Sequence, residues 1–385
     1  MRNTIIGLVE SYLAYFAKVI YHRFRPYVIG VTGSTGKTTT KYMISQIGLA
    51  LGRDVYTASG NLNTQIGLPL AVLGFKSSPE SWLGYLGVLI QAPFKALLTK
   101  KYARYIVLEY AADRPGDIGQ LTSIISPDVA VITNVGVAHI SAFKKIERIA
   151  KEKWGLALSA KDFVFCSRKV GNLRDLYGQP KAKIIISEDS GVEAKNIKYL
   201  TNKTEFELVL NSRTHKAEMG FSGKHNVENL LLAVMVASKV FAADERIVGA
   251  LKKLLPLTGR GERFIGRKDI LVIDESYNAN PASMVAALNN FDNIHLGRKV
   301  AIIGEMREID PIKEASHQEI AKLAKQKADF VIGVGDGYRS FNLDKWYADV
   351  EQLESEVDSL LDEGDVVLVK GSQAIGLEKI IHKIK

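Results

Sequence analysis

Cysteine is nearly absent from this 385-residue chain: Cys166 is the only one, which excludes an intramolecular disulfide and any cysteine-based metal cluster and suits a reducing cytosol. Long uninterrupted apolar runs are missing as well. Ile5 to Tyr21 is apolar and aromatic, but Glu10 and Lys18 interrupt it and His22, Arg23 and Arg25 follow. It therefore falls short of the roughly 20 apolar residues that a membrane-spanning helix needs, and no small-residue cleavage site follows it. Two readings stay open: a helix packed on the protein's own core, or a partner of the second such stretch, Trp82 to Leu98, which runs into Lys100, Lys101 and Arg104. Together the two would make an apolar, basic-rimmed surface resting on a membrane. Internal repeats, low-complexity tracts and aromatic-interleaved basic motifs are also lacking. With basic residues spread along the chain, a nucleic-acid translocase is disfavoured and no nucleic-acid partner is expected.

What is present describes a globular protein with room for two or three domains, 46 % hydrophobic and 24 % charged. A formal charge of +9 favours anionic partners, among them nucleotides, nucleotide-activated sugars and lipid headgroups, without selecting one. The most informative stretch is Val28 to Thr40, VIGVTGSTGKTTT. A β-branched strand runs into a glycine-rich turn and then, through Gly36-Lys37-Thr38, into a helix. Such a turn points backbone N–H groups at phosphate oxygens, lets Lys37 reach the outer phosphates and offers the Thr38 hydroxyl to Mg²⁺. Val31 stands where the general pattern has its first glycine, and the nearest glycines are Gly30 and Gly33.

Thr39 to Leu51 reads as the helix this loop opens and Asp54 to Ser59 as a short strand. Tyr105 to Glu109 is a buried-type strand ending in an acid, and Val129 to Thr133 another, ending at Asn134. Strands alternating with helices predict an α/β fold with a mostly parallel sheet flanked by helices and ligands at the strands' carboxyl ends. Lys181 to Lys216 reads as antiparallel strands and Asn226 to Val240 as a long apolar helix, with Leu257 to Gly261 as punctuation. A second α/β pattern follows, with strands at Ile270 to Ile273, Lys299 to Ile303, Phe330 to Val334 and Val366 to Val369. The expected organisation is an apolar N-terminal helix (1–26), a central P-loop ATP-binding domain (27–257) and a smaller, Rossmann-like C-terminal α/β domain (258–385).

Glu109 at a strand end and His139 after a strand and turn are weak signals singly. Beside a phosphate loop they suggest hard ligands for a divalent metal. Lys153, on the next helix, reads by itself as a surface lysine. The order of Gly33-Ser-Thr-Gly-Lys-Thr-Thr39, Gly60-Asn-Leu-Asn-Thr-Gln-Ile-Gly67, Thr133-Asn134 with His139, Gly223-Lys-His-Asn226 with Asn229, Gly259-Arg260, Asp274-Glu-Ser-Tyr-Asn-Ala-Asn-Pro281 and Lys370-Gly-Ser372 resembles that of the Mur ligases, ATP-dependent amide ligases of peptidoglycan synthesis. The Asp274 to Pro281 stretch, Gly304-Glu-Met306 with Glu308, His317 and Lys370-Gly-Ser372 look most like the branch that adds D-alanyl-D-alanine to a UDP-N-acetylmuramoyl tripeptide.

The resemblance implies a role for each matching residue. Gly33, Ser34, Thr35, Gly36, Lys37, Thr38 and Thr39 would cradle the phosphates of ATP; Thr38, Glu109 and His139 would hold a pair of Mg²⁺ ions, with Lys153, carbamylated, supporting the second. His225, Asn226 and Asn229 would lie at the adenine side, and Arg260 and Asp274 would reach the nucleotide from the domain junction. Asn61, Asn63, Thr64, Tyr277, Asn278, Asn280, Lys370 and Ser372 would lie toward acceptor and substrate, with Lys37, Glu109, His139, Lys153 and Arg260 as the catalytic set. It implies a cytoplasmic enzyme, at the inner face of the membrane if the apolar surface is used.

Full-length family members carry an N-terminal domain that grips UDP, whereas only about 26 apolar and aromatic residues precede the phosphate-loop strand here. That domain is therefore expected to be absent. The UDP-linked muropeptide would be held by the remaining domains or by a partner chain, or the carboxyl donor would be lipid-linked. Gln373 stands where relatives carry arginine, a fixed charge lost beside the acceptor region. Chain-extending ligases of polyglutamate or cyanophycin type share the phosphate-loop domain and form one alternative. A non-catalytic nucleotide-binding scaffold forms another, but it should have lost one of Lys37, Glu109, His139 or Lys153, and all four are present.

Overall fold

Strand β1 (Tyr27–Thr32) is buried at every position but its first, because helices cover both faces of the sheet it centres. Such a strand needs apolar residues in succession, which Val28, Ile29 and Val31 supply. The computed structural model describes residues 2–385 except Ser59, Asn61, Glu80, Thr201, Asp244 and His295, with side chains from Ile5 onward. After β1 come β2 (Val55–Tyr56), β3 (Tyr105–Glu109), β4 (Val129–Ile132), β5 (Phe163–Cys166) and β6 (Lys183–Ile186). They form one parallel sheet in the order β2-β3-β1-β4-β5-β6.

The helices of this half are α1 (Arg2–Phe24), α2 (Lys37–Ala50), α3 (Gly67–Val72), α4 (Trp82–Leu98), α5 (Asp117–Ile124), α6 (Ile140–Phe143), α7 (Ile146–Ser159), α8 (Arg168–Gly171), α9 (Arg174–Tyr177), α10 (Lys224–Val240) and α11 (Arg246–Leu251). Strand residues alternate between two cores, as the pleat requires. Val28, Ile106, Leu108 and Ala130 meet α1, α4, α5 and α7, while Ile29, Val31, Val107 and Val131 meet α2 and α10. A three-stranded antiparallel sheet, β7 (Glu193–Tyr199), β8 (Thr204–Leu210) and β9 (Arg213–Met219), closes the second core through Phe206, Leu208 and Leu210.

The smaller C-terminal lobe holds β10 (Glu262–Ile265), β11 (Leu271–Asp274), β12 (Lys299–Gly304), β13 (Phe330–Val334), β14 (Lys345–Tyr347) and β15 (Val366–Lys370) in the order β10-β11-β15-β12-β13-β14. All its pairs are parallel except β10 with β11. Around it lie α12 (Pro281–Asp292), α13 (Lys313–Lys327), α14 (Val350–Leu360) and α15 (Glu378–Ile384).

Three sequence expectations change. The strand read at Asp54 to Ser59 shortens to β2, and Ser59 lies outside the described residues. Lys181 to Lys216 is not one antiparallel unit, because its first strand, β6, pairs in parallel with β5 and belongs to the main sheet. Glu262 to Ile265, beyond the punctuating glycines, forms an antiparallel edge that alternating apolar runs did not announce. The core reading of the N-terminal segment holds on one side of α1, where Leu13, Ala17 and Ile20 are buried. Among the described residues no helix is long and apolar enough to cross a membrane.

Candidate active site

The glycine loop leaves β1 at its carboxyl end, where neighbouring β3 ends in Glu109 and β4 leads into Thr133-Asn134. In parallel α/β sheets this edge is where ligands bind. Loop and β4 turn are tied together: Asn134 Oδ1 accepts from the Thr35 N–H at 3.0 Å, Asn134 Nδ2 donates to Thr35 Oγ1 at 2.7 Å, and Ser34 Oγ donates to the Gly136 carbonyl at 2.8 Å. Gly36 caps α2 with φ +78°, and a Cβ there would lie 2.5 Å from Asn229 Oδ1. Only glycine fits both the backbone and that approach. The N–H groups of the first turn of α2 have no earlier carbonyl within the helix to bond, which suits an anion.

Beneath the loop, Lys37 Nζ and Lys153 Nζ both donate to the Gly33 carbonyl, at 2.9 and 3.0 Å. Lys153, 1 % exposed, is no surface lysine. Burial, and then the nearby Lys37, pull its ammonium down to about 7. Glu109 sits at the far side, accepting from Thr38 Oγ1 at 2.9 Å and from Asn63 Nδ2 at 3.0 Å. Burial acts to raise its pKa, but Lys37, Lys41, the Asn63 hydrogen bond and Arg260 outweigh it and hold the carboxylate below its ordinary value. Burial lowers the Lys37 ammonium too.

The smaller lobe presents the same edge to this one. Lys370 ends β15, with Nζ 2.9 Å from the Asn278 carbonyl and 3.3 Å from Glu275 Oε2. Ser372 Oγ accepts from the Arg307 N–H at 2.9 Å, and the Arg260 guanidinium lies 3.7 Å over the Tyr277 ring. Between the lobes is a cavity of about 650 Å³ that brings together Ser34 to Thr39, Asn63, Glu109, His139, His225, Asn226, Asn229, Arg260, Tyr277, Asn278, Asn280, Lys370 and Ser372. That volume is in the range of nucleotide and small-molecule sites.

Some expected residues stand apart. Gly33 and Lys153 lie under the loop rather than on the cavity wall. Asp274 is buried with its carboxylate committed to the Gly259 N–H, at 3.0 Å, and to Ser276, so it positions the turn that carries Arg260 instead of facing the cavity. Thr64 Oγ1 accepts from the Gly67 N–H at the start of α3 and is not on the wall. Asn61 lies outside the described residues. Asn280 lines the cavity but spends its side chain capping α12, accepting from Ser283 N at 2.9 Å. His139 has its own carboxylates, with Nδ1 2.6 Å from Glu308 Oε2 and Nε2 3.5 Å from Asp113 Oδ1.

Sequence reasoning missed Lys41, one turn after Lys37 on α2. It is 5 % exposed and donates to the Ala58 and Gly60 carbonyls at 3.1 and 3.3 Å. The i, i+4 spacing from Lys37 was the available signal. Asp113 and Glu308, partners of His139, were also unassigned.

Among the described residues no group of three or more His, Cys, Asp or Glu forms a ready-made metal cage. Mg²⁺ binding to one or two carboxylates plus phosphate oxygens needs none, and a hydroxyl on Thr38 hydrogen-bonded to an ionised Glu109 is a donor set of that hard kind. The arrangement can hold a polyphosphate on the loop and neutralise charge from Lys37, Arg260 and Lys370, with a second reactant on the opposite wall.

The Mur ligase middle domain matches residues 31–84 and 85–237, and the Mur ligase glutamate ligase domain matches residues 259–373. The chain is similar to UDP-N-acetylmuramoyl-tripeptide--D-alanyl-D-alanine ligase of Escherichia coli K12, 28 % identical over 377 residues that cover 93 % of this chain and 76 % of that protein. It is equally similar to the Bacillus subtilis protein of that name, 28 % identical with 99 % and 81 % covered. Its fold matches that of a MurF ligase from Thermotoga maritima in complex with ADP, with a TM-score of 0.82, 25 % identity, and 97 % and 83 % covered. A Mycobacterium tuberculosis folylpolyglutamate synthase shares the fold at 16 % identity and TM-score 0.72, covering 97 % and 95 %. With both family domains falling on the two lobes whose facing edges build this cavity, the chain belongs to the Mur ligase family.

Proposed function

We propose that the chain is an ATP-dependent amide ligase that joins D-alanyl-D-alanine to a UDP-N-acetylmuramoyl tripeptide, a step of peptidoglycan precursor synthesis. The observation that carries this reading is the phosphate loop at the carboxyl edge of the main sheet, with Glu109 fixed to Thr38 and Lys370 and Arg260 contributed by the other lobe. Relatives bearing that activity in their names support the choice of substrates.

When bound, Mg²⁺-ATP supplies the phosphoryl group that turns a carboxylate into an acyl phosphate, from which an attacking amine forms the amide and releases phosphate. Residues 27–257 act as the P-loop domain and 258–385 as a Rossmann-like domain closing over it. Lys37 and Arg260 would offset charge on the transferring group, and Thr38 and Glu109 would hold the metal. His139, held at Nδ1 by Glu308, would complete the metal side through Nε2 in exchange for its looser 3.5 Å contact with Asp113. Lys153 would take up carbon dioxide as a carbamate, releasing a proton and turning from the Gly33 carbonyl, and so would offer a carboxylate-like group to a second ion; an ammonium drawn down to about 7 is neutral often enough to react. His225, Asn226 and Asn229 face the base, while Asn63, Tyr277, Asn278, Lys370 and Ser372 face acceptor and donor. Closure of the lobes keeps water from the acyl phosphate.

The deciding experiment follows phosphate release from Mg²⁺-ATP with UDP-N-acetylmuramoyl tripeptide, with and without D-alanyl-D-alanine, and the mass of the product. Release that requires both and yields the pentapeptide is expected. Nucleotide binding without turnover on these substrates would overturn the substrate assignment and point to a lipid-linked carboxyl donor, which the outer apolar faces of α1 and α4 favour.

A further inference from the structure

Among the described residues helix α4 carries an apolar stripe left exposed: Trp82, Leu83, Leu86, Ile90, Phe94, Leu97 and Leu98 recur at helical spacing, and Trp82 and Leu98 are 73 % and 69 % exposed. Its opposite face, Val88, Ala92 and Ala96, is buried. Lys95 is the only charged residue of the helix, its ammonium folded back over the Phe75 ring at 4.7 Å, and Gln91 is its one exposed amide. Helix α1 also shows apolar residues on two sides, Leu13, Ala17 and Ile20 inward and Ile5, Leu8, Tyr12 and Tyr15 outward.

The two helices are joined side by side. Tyr12 Oη donates to the Leu89 carbonyl at 3.1 Å and Arg23 Nη1 to the Leu97 carbonyl at 2.8 Å, so the stripes adjoin. Soluble proteins seldom expose contiguous apolar surface of this extent without a binding purpose.

We propose that the outer faces of α1 and α4 dock on the headgroup region of an anionic bilayer. Charge decides the occupant. From Ser81 to Arg104 there is no acidic residue, and the exposed His22, Arg23, Arg25, Lys100, Lys101 and Arg104 stand at the ends of the two helices. All six lie at the carboxyl ends of two parallel helices, and a second copy of this surface offers no acidic cluster to meet them, whereas anionic lipid neutralises them. Neither helix is both long and apolar enough to cross, which leaves lying in the interface. The one acid on this part of α1, Glu10, turns away to line a cleft with Gln65, Asp117 and His139, beside the main cavity. The docking surface and the edge of the site therefore share one helix, although the proposal does not depend on which substrates the ligase uses.

The test is flotation of the full chain with vesicles of phosphatidylglycerol and phosphatidylcholine against vesicles of phosphatidylcholine alone. Binding to the anionic vesicles is expected, with a blue shift of tryptophan emission that Trp82→Phe abolishes. Lys100→Gln/Lys101→Gln/Arg104→Gln should weaken binding on the order of a hundredfold or more. Leu86→Ser/Ile90→Ser/Phe94→Ser should abolish it while leaving the unfolding midpoint and turnover of a water-soluble substrate unchanged, which separates this proposal from the ligase assignment. No association with anionic vesicles, association that ignores both variants, or a lipid-free dimer dissolved by the serine variant would overturn it.

Discussion

Lys153 is the residue whose chemistry the fold changes most. Exposed, it would hold its proton to about 10.5; buried over the Gly33 carbonyl it gives the proton up near 7. Between those limits the unfolded chain binds the proton and the folded chain does not, so stability rises with pH there. The cost of this group is at its fullest below about pH 7 and fades as pH climbs toward 10.5. The neutral amine also sets the carbamate: isotope-labelled bicarbonate should give a carbamate carbon resonance that strengthens from pH 6.5 to 8.5, as fits a group titrating about 7, and that disappears in Lys153→Arg. For Lys37→Met we expect turnover to fall roughly a hundredfold to a thousandfold, as when an electrostatic donor to a charged transition state is removed, with folding intact. Steady-state kinetics beside a thermal melt would check both halves of that statement.

Among the elements, α12 offers the sharpest separation of structural from chemical roles. Asn280 accepts from Ser283 N and donates its own N–H to Ser283 Oγ, a capping box. Asn280→Ala should cost about 1 kcal/mol in stability. If the cap is its whole duty, the KM for the dipeptide will not move in the folded variant. This also marks where sequence was readable. Strand β3 falls on the residues expected from its apolar run, and the glycine loop announces itself because phosphate chemistry leaves few residue choices at Gly33, Gly36 and Lys37. Motif identity did not reveal that Asn280 caps a helix and Asp274 braces a turn, because hydrogen-bond partners come from tertiary contacts. Strand β6 was misread because partial exposure of Ile184 to Ile186 and flanking charges mimic a free antiparallel strand, whereas its pairing with β5 is non-local. For Lys41 the i, i+4 spacing from Lys37 was the one hint, and its burial has no sign in the sequence.

At the scale of the molecule, two sheets turn their carboxyl edges toward one cavity, so half of the proposed site belongs to each lobe. Among the described residues the lobes also touch through scattered polar contacts: the Asp310 N–H donates to Ser141 Oγ at 3.1 Å, Arg263 Nη1 to the Leu200 carbonyl at 3.0 Å and Ser222 Oγ to Asn290 Oδ1 at 3.4 Å, and His139 meets Glu308. Mg²⁺-ATP should therefore act as a bridge and stabilise the whole chain by about 2.7 kcal/mol at a hundredfold excess over Kd, raising its unfolding midpoint. A gain confined to one lobe in a domain-resolved melt would contradict this. Two lysine nitrogens on one carbonyl oxygen also tie nucleotide arrival to the proton balance of the solution. As Lys37 turns to the incoming phosphates, their negative charge raises the proton affinity of Lys153, and at pH 7.5 an unmodified chain should draw protons from the buffer. Titration calorimetry in buffers of unequal ionisation heat will then give binding enthalpies that differ from buffer to buffer, and a fully carbamylated chain, with no such proton to gain, will give equal ones.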